Sequence, residues 1–336
     1  MMGNTLVIAE AGANHNKDKS LAFELINVAA KSKCDIVKFQ TYSSETLYAK
    51  GTPDFAGYKD VNKLIDSIAL PRHWQKDLKT FCDDAGIEFM STPFDESAVD
   101  ELFSLGVKRF KISGFECTDP RFVKYVASTK LPLIISLGIG TTLQTMKEVY
   151  SWVLKVNSHP DITFLHCNNA YPTPHQDLNL GHMQNMIKEN DNSSIRIGLS
   201  DHTEGILAPP IAVALGAKAI EKHFTLDRRL PGPDHPFAIE PNQLFDMVKS
   251  IRLTETMLGS KSSLYTSSEE GFSKARRSVV VKGSVSCGSV ITEDTVTTKR
   301  PLLTDSIPAT EYYKILGKKF NKSLEGDHIL RQEDVT

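Results

Sequence analysis

Short runs of apolar and β-branched residues recur along the first two thirds of the chain, each closed by polar or glycine positions. They occupy residues 5–12 (TLVIAEAG), 35–42 (DIVKFQTY), 87–94 (IEFMSTPF), 109–114 (RFKISG), 131–138 (LPLIISLG), 162–168 (ITFLHCN), 195–202 (IRIGLSDH) and 219–225 (AIEKHFT). Runs this short and this apolar fit strands buried on both faces. The segments between them carry helical spacing or helix start signals. Leu21, Leu25, Val28 and Ala29 share one face of 21–32. Pro71 stands where a first helical turn tolerates proline, and Asp95-Glu96-Ser97 and Asp119-Pro120 are N-terminal signals. Thr141-Thr142 precedes a further helix, and 178–189, 205–216 and 241–258 complete the set. Strands alternating with helices predict a parallel sheet, and eight such units predict a closed (β/α)8 TIM barrel, an α/β fold, over residues 1–258. The competing architecture is an open doubly wound sheet. It is disfavoured because no Gly-x-Gly-x-x-Gly follows the first run.

The texture changes after residue 258. Residues 259–275 (GSKSSLYTSSEEGFSKA) are serine-rich and read as a linker. Residues 276–336 alternate short strand-like runs with turns, and Gly288-Ser-Val-Ile291 is echoed by Gly326-Asp-His-Ile329. This predicts a small β-rich domain with a weak internal repeat, marginal in size for standing alone.

Composition narrows the function. The 336 residues are 40% hydrophobic and 24% charged, with a net charge of −2, so no overall field favours nucleic acid or an anionic membrane. The N-terminal run reads as a strand rather than a signal peptide, and no run reaches the length of a membrane span. Five scattered cysteines, with no Cys-x-x-Cys, read as free thiols of a reducing cytoplasm.

Every predicted strand ends in polar residues: Glu10 on the first, Lys38 and Gln40 on the second, Ser91 and Thr92 on the third, and Lys111 and Ser113 on the fourth, with Glu116 just beyond. Ser136, His166 and Asn168, Ser200-Asp201-His202, then Glu221 and His223 follow on strands five to eight. Buried charges are costly in a core but belong at the C-terminal rim of a barrel, where active sites of this fold are built. His202 and His223 end consecutive strands and could share one cation, with Glu10 and Asp234 orienting bound water. Two histidines without cysteine leave open positions, which favours Mn²⁺ or Mg²⁺ over a structural zinc. Lys38 and Lys111 with nearby hydroxyls suit an anion carrying carboxylate and phosphate. Either lysine could instead form a Schiff base, as in aldolases.

The segments IAEAGANHNKD (8–18), VKFQTY (37–42), STPFD (91–95), LHCNNAYPTP (165–174), GLSDHT (198–203), ALGAKAIEKHFTLDR (214–228) and PGPDH (231–235) resemble sialic acid synthases, including legionaminate and pseudaminate synthases. The tail resembles their antifreeze-like (SAF) domain. The resemblance runs from about residue 5 to 335 and implies condensation of phosphoenolpyruvate with an N-acetylated hexosamine such as N-acetylmannosamine, releasing phosphate. It further implies a divalent metal, Mn²⁺ foremost with Mg²⁺ or Co²⁺ as alternatives, on His202 and His223. Glu10 and Glu116 would position or activate water and sugar hydroxyls. Lys38, Thr92, Lys111, Ser136 and Ser200 would bind phosphoenolpyruvate, and Tyr171 and Asp234 the sugar. Arg300 would reach the barrel of the other protomer in a domain-swapped homodimer. The sequence departs from the family pattern at strand four: serine falls at Ser113 instead of position 114, and Phe115 replaces a glycine. The rival readings are a 2,4-diacetamido-trideoxyhexose as substrate, a Schiff-base aldolase, and a carbohydrate-binding protein whose barrel is a relic.

Overall fold

A computed structural model describes residues 4–54, 59–190, 194–259 and 266–336. The chain divides into two compact units, Met1–Gly259 and Ser260–Thr336. In the first unit the apolar runs form eight parallel strands: β1 (Leu6–Glu10), β2 (Ile36–Thr41), β3 (Glu88–Pro93), β4 (Phe110–Ile112), β5 (Leu133–Leu137), β6 (Ile162–Cys167), β7 (Ile195–Asp201) and β8 (Ala219–His223). The paired order is β3-β2-β1-β8-β7-β6-β5-β4. β3 and β4 also lie side by side, so the sheet is a nearly closed TIM-type barrel.

The crossover helices begin at the signals the sequence carries. Asp18, Asp95 and Asp119 accept backbone N–H groups of Lys19–Lys31, Glu96–Leu105 and Pro120–Ser128. Thr142 caps Leu143–Leu154, and Pro71 precedes a 3-10 turn leading into Gln75–Ala85.

Alternation along the strands explains where the site lies. Ile8, Ile36, Met90, Ile134, Leu165 and Ala219 form one apolar cluster inside the barrel. Two residues further on each of these strands, on the same face, stand Glu10, Lys38, Thr92, Ser136, Cys167 and Glu221. The polar layer therefore sits directly on an apolar plug. The large cluster that includes Val7, Phe39, Phe110, Phe164 and Leu244 packs the other faces of the strands against the helices.

Some strand-end residues expected at the rim face outward instead. Ser91 shares a hydrogen bond with Thr41 at 2.7 Å, and Gln75 donates to Thr41 at 2.8 Å. His166 Nε2 donates to the Leu178 carbonyl at 2.7 Å, and Asp201 pairs with Lys222 at 2.7 Å. The alternation of a strand sends every second polar residue to the helices, and a list of strand ends ignores it. Segment 43–70, to which the sequence pattern assigns no element, contains the helices Ser44–Leu47 and Val61–Ile68. Residues 55–58 of it lie outside the described residues.

The second unit has its own core, including Val279, Val281, Ile291, Val296, Phe320 and Leu330. Its antiparallel pair is β9 (Ser278–Val281) with β10 (Val296–Lys299). Of the segment read as a linker, 260–265 lie outside the described residues, and Ser267–Ala275 is an exposed 3-10 helix. The internal repeat is real, but its register differs by one residue from the glycine alignment. Gly288 and Asp327 take positive φ (81° and 67°), and Ile291 and Leu330 are buried. The turn closed by Thr295 N–H to Thr292 O recurs as Asp334 N–H to Arg331 O. Asp327, rather than Gly326, adopts the left-handed conformation, so aligning glycines misplaces the repeat.

Candidate active site

The register of the strands brings the charged residues together. Glu10 lies opposite Lys38 on β2 and His223 on β8, and Ser200 lies opposite Glu221. Lys38 Nζ sits 2.6 Å from Glu10 Oε2 and 3.7 Å from Glu221 Oε2, and it donates to Thr92 Oγ1 at 3.0 Å. Gln40 donates to Glu10 at 2.8 Å. Lys111 lies 3.7 Å from Glu221 and donates to the Ile112 carbonyl at 3.1 Å. Ser200 donates to Glu221 at 2.9 Å. All of these side chains except Gln40 are buried.

Burial shifts these groups in instructive directions. It pushes the Glu10 carboxyl up to about 7 against the pull of the Lys38 ammonium, which suits a group that holds or passes a proton near neutrality. Burial works against the Lys38 charge, but the Glu10 and Glu221 carboxylates more than offset it, so Lys38 is raised. Lys111 is lowered by burial despite Glu221. Glu221 is held below the usual carboxylate range: burial opposes its charge, and the two lysines outweigh burial. Among the described residues the buried hydroxyl of Ser136 has no hydrogen-bond partner, nor has Glu221 Oε2. Two ammonium groups and an uncommitted hydroxyl thus stand in one buried polar layer above the apolar plug, an arrangement whose chemistry suits a small multiply charged anion.

The histidines follow the same layer, two residues beyond Ser200 and Glu221 on their strands. Their ring centroids are 5.3 Å apart, and the Tyr171 ring lies 4.3 Å from that of His202. His202 Nδ1 donates to the Asn168 carbonyl at 2.6 Å, so its Nε2 carries the free lone pair. His223 Nδ1 is buried, has no hydrogen-bond partner among the described residues, and lies 3.7 Å from Asp234 Oδ2. Burial lowers both imidazoles, and for His223 the neighbouring His202 and lysines lower it further. Neutral rings with uncommitted lone pairs fit a divalent cation. Among the described residues no set of three His, Cys, Asp or Glu is formed, so a cation here would keep most positions for water or substrate oxygens.

Asp234 reaches this point because the backbone at Gly12 leaves room for it. The Ala13 N–H donates to Asp234 Oδ2 at 3.3 Å, and a Cβ on Gly12 (φ 49°) would fall 2.7 Å from that oxygen. Glu116 lies just past β4, accepts from the Ser113 hydroxyl, and is raised by burial. Ser113 is thereby committed to Glu116 and to the Phe115 N–H. Arg300 is an exposed residue of the C-terminal unit, next to the end of β10.

Comparison with known proteins places this arrangement. The model of the NeuB family matches residues 25–263, and that of the SAF domain matches residues 276–336. The chain belongs to the NeuB family. It is 38% identical to an N,N'-diacetyllegionaminic acid synthase of Legionella pneumophila, over 98% of this chain and 94% of that protein. It is 33% identical to a pseudaminic acid synthase of Campylobacter jejuni, over 98% and 96%. Among solved structures, an N-acetylneuraminic acid (sialic acid) synthetase of Leptospira borgpetersenii serovar Hardjo-bovis superposes with a TM-score of 0.73 at 30% identity, covering 80% of this chain and 90% of that one.

Within this NeuB barrel, eleven of the site residues drawn from the sequence stand on strands of the barrel or on the loops that follow them: Glu10, Lys38, Thr92, Lys111, Glu116, Ser136, Tyr171, Ser200, His202, His223 and, on the loop beyond β8, Asp234. Arg300 belongs to the other unit. Glu221, named among the polar strand ends but given no role there, links both lysines and Ser200. Its signal is its position two residues before His223, on the same face of β8.

Proposed function

We propose that this barrel condenses phosphoenolpyruvate with the open-chain aldehyde of an N-acylated amino-hexose, giving a nonulosonic α-keto acid and inorganic phosphate. A carbon–carbon bond forms between C3 of phosphoenolpyruvate and the aldehyde carbon. Water adds at C2, and the C2–O bond to phosphate breaks. The observation that carries this reading is the buried polar layer on the apolar plug: Lys38 and Lys111 with the uncommitted Ser136 hydroxyl, Thr92 and Ser200. These groups would hold the carboxylate and phosphate. Glu10, with its carboxyl near neutrality, is placed to take a proton from water beside them. Glu116 would serve water or the sugar hydroxyls, and Tyr171 and Asp234 would flank the sugar.

The residues present fit a divalent cation, Mn²⁺ foremost, with Mg²⁺ or Co²⁺ as alternatives, held by His202 and His223. When bound, such an ion supplies Lewis-acid polarisation of the aldehyde oxygen. Two relatives named N,N'-diacetyllegionaminic acid synthase, at 38% and 36% identity, favour a 2,4-diacetamido-trideoxyhexose over N-acetylmannosamine as the sugar. The enzyme would work in the cytoplasm as a domain-swapped homodimer, with Arg300 of one protomer completing the mouth of the other.

The test is phosphate release and product mass with phosphoenolpyruvate, Mn²⁺ and a panel containing both sugars. Turnover with either supports the synthase, and the preferred sugar decides between the two substrates. No product with any sugar sinks the reading. Chelation by EDTA is expected to abolish turnover and Mn²⁺ to restore it; full activity in stripped protein removes the metal from the scheme. Borohydride trapping of a substrate adduct on Lys111 or Lys38 would revive the aldolase.

A further inference from the structure

Directly behind the two histidines lies a second buried charge pair that the chemistry above does not use. Asp201 and Lys222 are cross-strand partners in the β7–β8 register. Each precedes one of the histidines, Asp201 before His202 and Lys222 before His223. Both point to the outer face of the sheet, where their side chains are 0% and 2% exposed.

Their bonding is closed on itself. Asp201 Oδ2 accepts from Lys222 Nζ at 2.7 Å, while Oδ1 accepts from the Thr203 N–H at 2.9 Å and the Thr203 hydroxyl at 2.8 Å. Lys222 Nζ also donates to the Thr203 carbonyl. The two residues around His202 are thereby tied to each other and to the residue before His223. The Thr173 N–H, donating to the His202 carbonyl at 2.9 Å, closes the remaining side.

Burying an ion pair between a sheet and its helices is a poor way to gain stability. Desolvation consumes most of the attraction, and apolar replacements of similar volume are often neutral or stabilising. What such a pair does supply is fixed geometry. We propose that Asp201 and Lys222 are positioning residues: a clamp that holds His202 and His223 at the spacing and orientation needed to share one divalent cation.

This rests on the reading of the two histidines as ligands, and the experiment separates the two claims. Metal-stripped full-length protein is titrated with Mn²⁺, free ion being followed by electron paramagnetic resonance, and thermal unfolding is recorded in parallel. Wild type should bind and His202→Ala should not. If wild type does not bind, or His202→Ala binds equally well, the metal reading falls whatever the clamp does. Given that reference, D201N/K222M removes both charges and leaves no unpaired one. It is expected to weaken Mn²⁺ binding by about tenfold while its melting temperature stays at or above that of wild type. Affinity within twofold of wild type overturns the clamp, as does a loss of affinity that only tracks a lowered melting temperature. Should the double variant not fold, Thr203→Val removes the hydroxyl contact to Asp201 without stranding a charge. Weaker Mn²⁺ binding in Thr203→Val, restored in Thr203→Ser, supports the clamp, and unchanged binding in Thr203→Val overturns it.

Discussion

Ser136 shows how a single side chain separates binding from stability. Its hydroxyl is buried yet finds no hydrogen-bond partner among the described residues, so the fold carries its desolvation without return. Ser136→Ala should therefore leave thermal stability unchanged or slightly higher. In the same variant the KM for phosphoenolpyruvate should rise roughly 10- to 100-fold, the cost of one lost hydrogen bond to a charged group. Paired unfolding and steady-state measurements check this; a destabilised variant with normal KM would make Ser136 structural. The residue types of this polar layer were legible in the sequence because lysine, glutamate and serine are conspicuous in buried strands. Their division of labour was not. Counting by twos from Ile8 or Ala219 selects Glu10 and Glu221 for the interior, and the same count sends Lys222 and Asp201 outward. Ser113, which departs from the family pattern at strand four, is committed to Glu116.

At the scale of elements, the strands were readable because each is buried on both faces and capped helices punctuate them. Segment 43–70 was not, because the helices Ser44–Leu47 and Val61–Ile68 are too short for their periodicity to stand out. The tail repeat was seen, but Asp327 takes the backbone conformation that glycine normally advertises, and the alignment slipped by one. Strand packing at β7 carries a further consequence. Gly198 faces the interior two residues before Ser200, and a Cβ there would stand 2.3 Å from the Ala219 carbonyl oxygen and 2.8 Å from Leu165 Cδ2. A backbone oxygen cannot turn aside as a side chain can, so β7 and β8 would have to part. Gly198→Ala should lower stability by about 3 kcal/mol in urea unfolding. It should also reduce kcat more than an equally destabilising change in an outer helix, because the spacing of Ser200 from Glu221 and of His202 from His223 depends on that strand pair. Wild-type activity in a folded Gly198→Ala protein would show that this spacing is not critical.

For the whole molecule, the question is whether one chain holds a complete site. The barrel has its own core, the C-terminal unit has another, and Arg300 is exposed beside the end of β10. A unit of marginal size with a core of its own gains from a partner surface, and exchange between protomers is one way to supply it. If Arg300 serves the partner's mouth, two inactive variants should complement. In a heterodimer of Arg300→Ala with His202→Ala, the first chain keeps an intact barrel and receives the intact arginine of the second. The other site has neither histidine pair nor arginine. Random reassortment of equal amounts makes half the dimers mixed, so about one quarter of wild-type activity should return on co-expression. An arginine acting within its own chain predicts the opposite: every intact barrel would then lack its arginine, and mixing would restore nothing. Parent homodimers, assayed alone and after mixing without subunit exchange, give the baseline. Activity near a quarter assigns the arginine to the partner; activity at the baseline, with mixed dimers demonstrated by differential tagging, refutes the exchange.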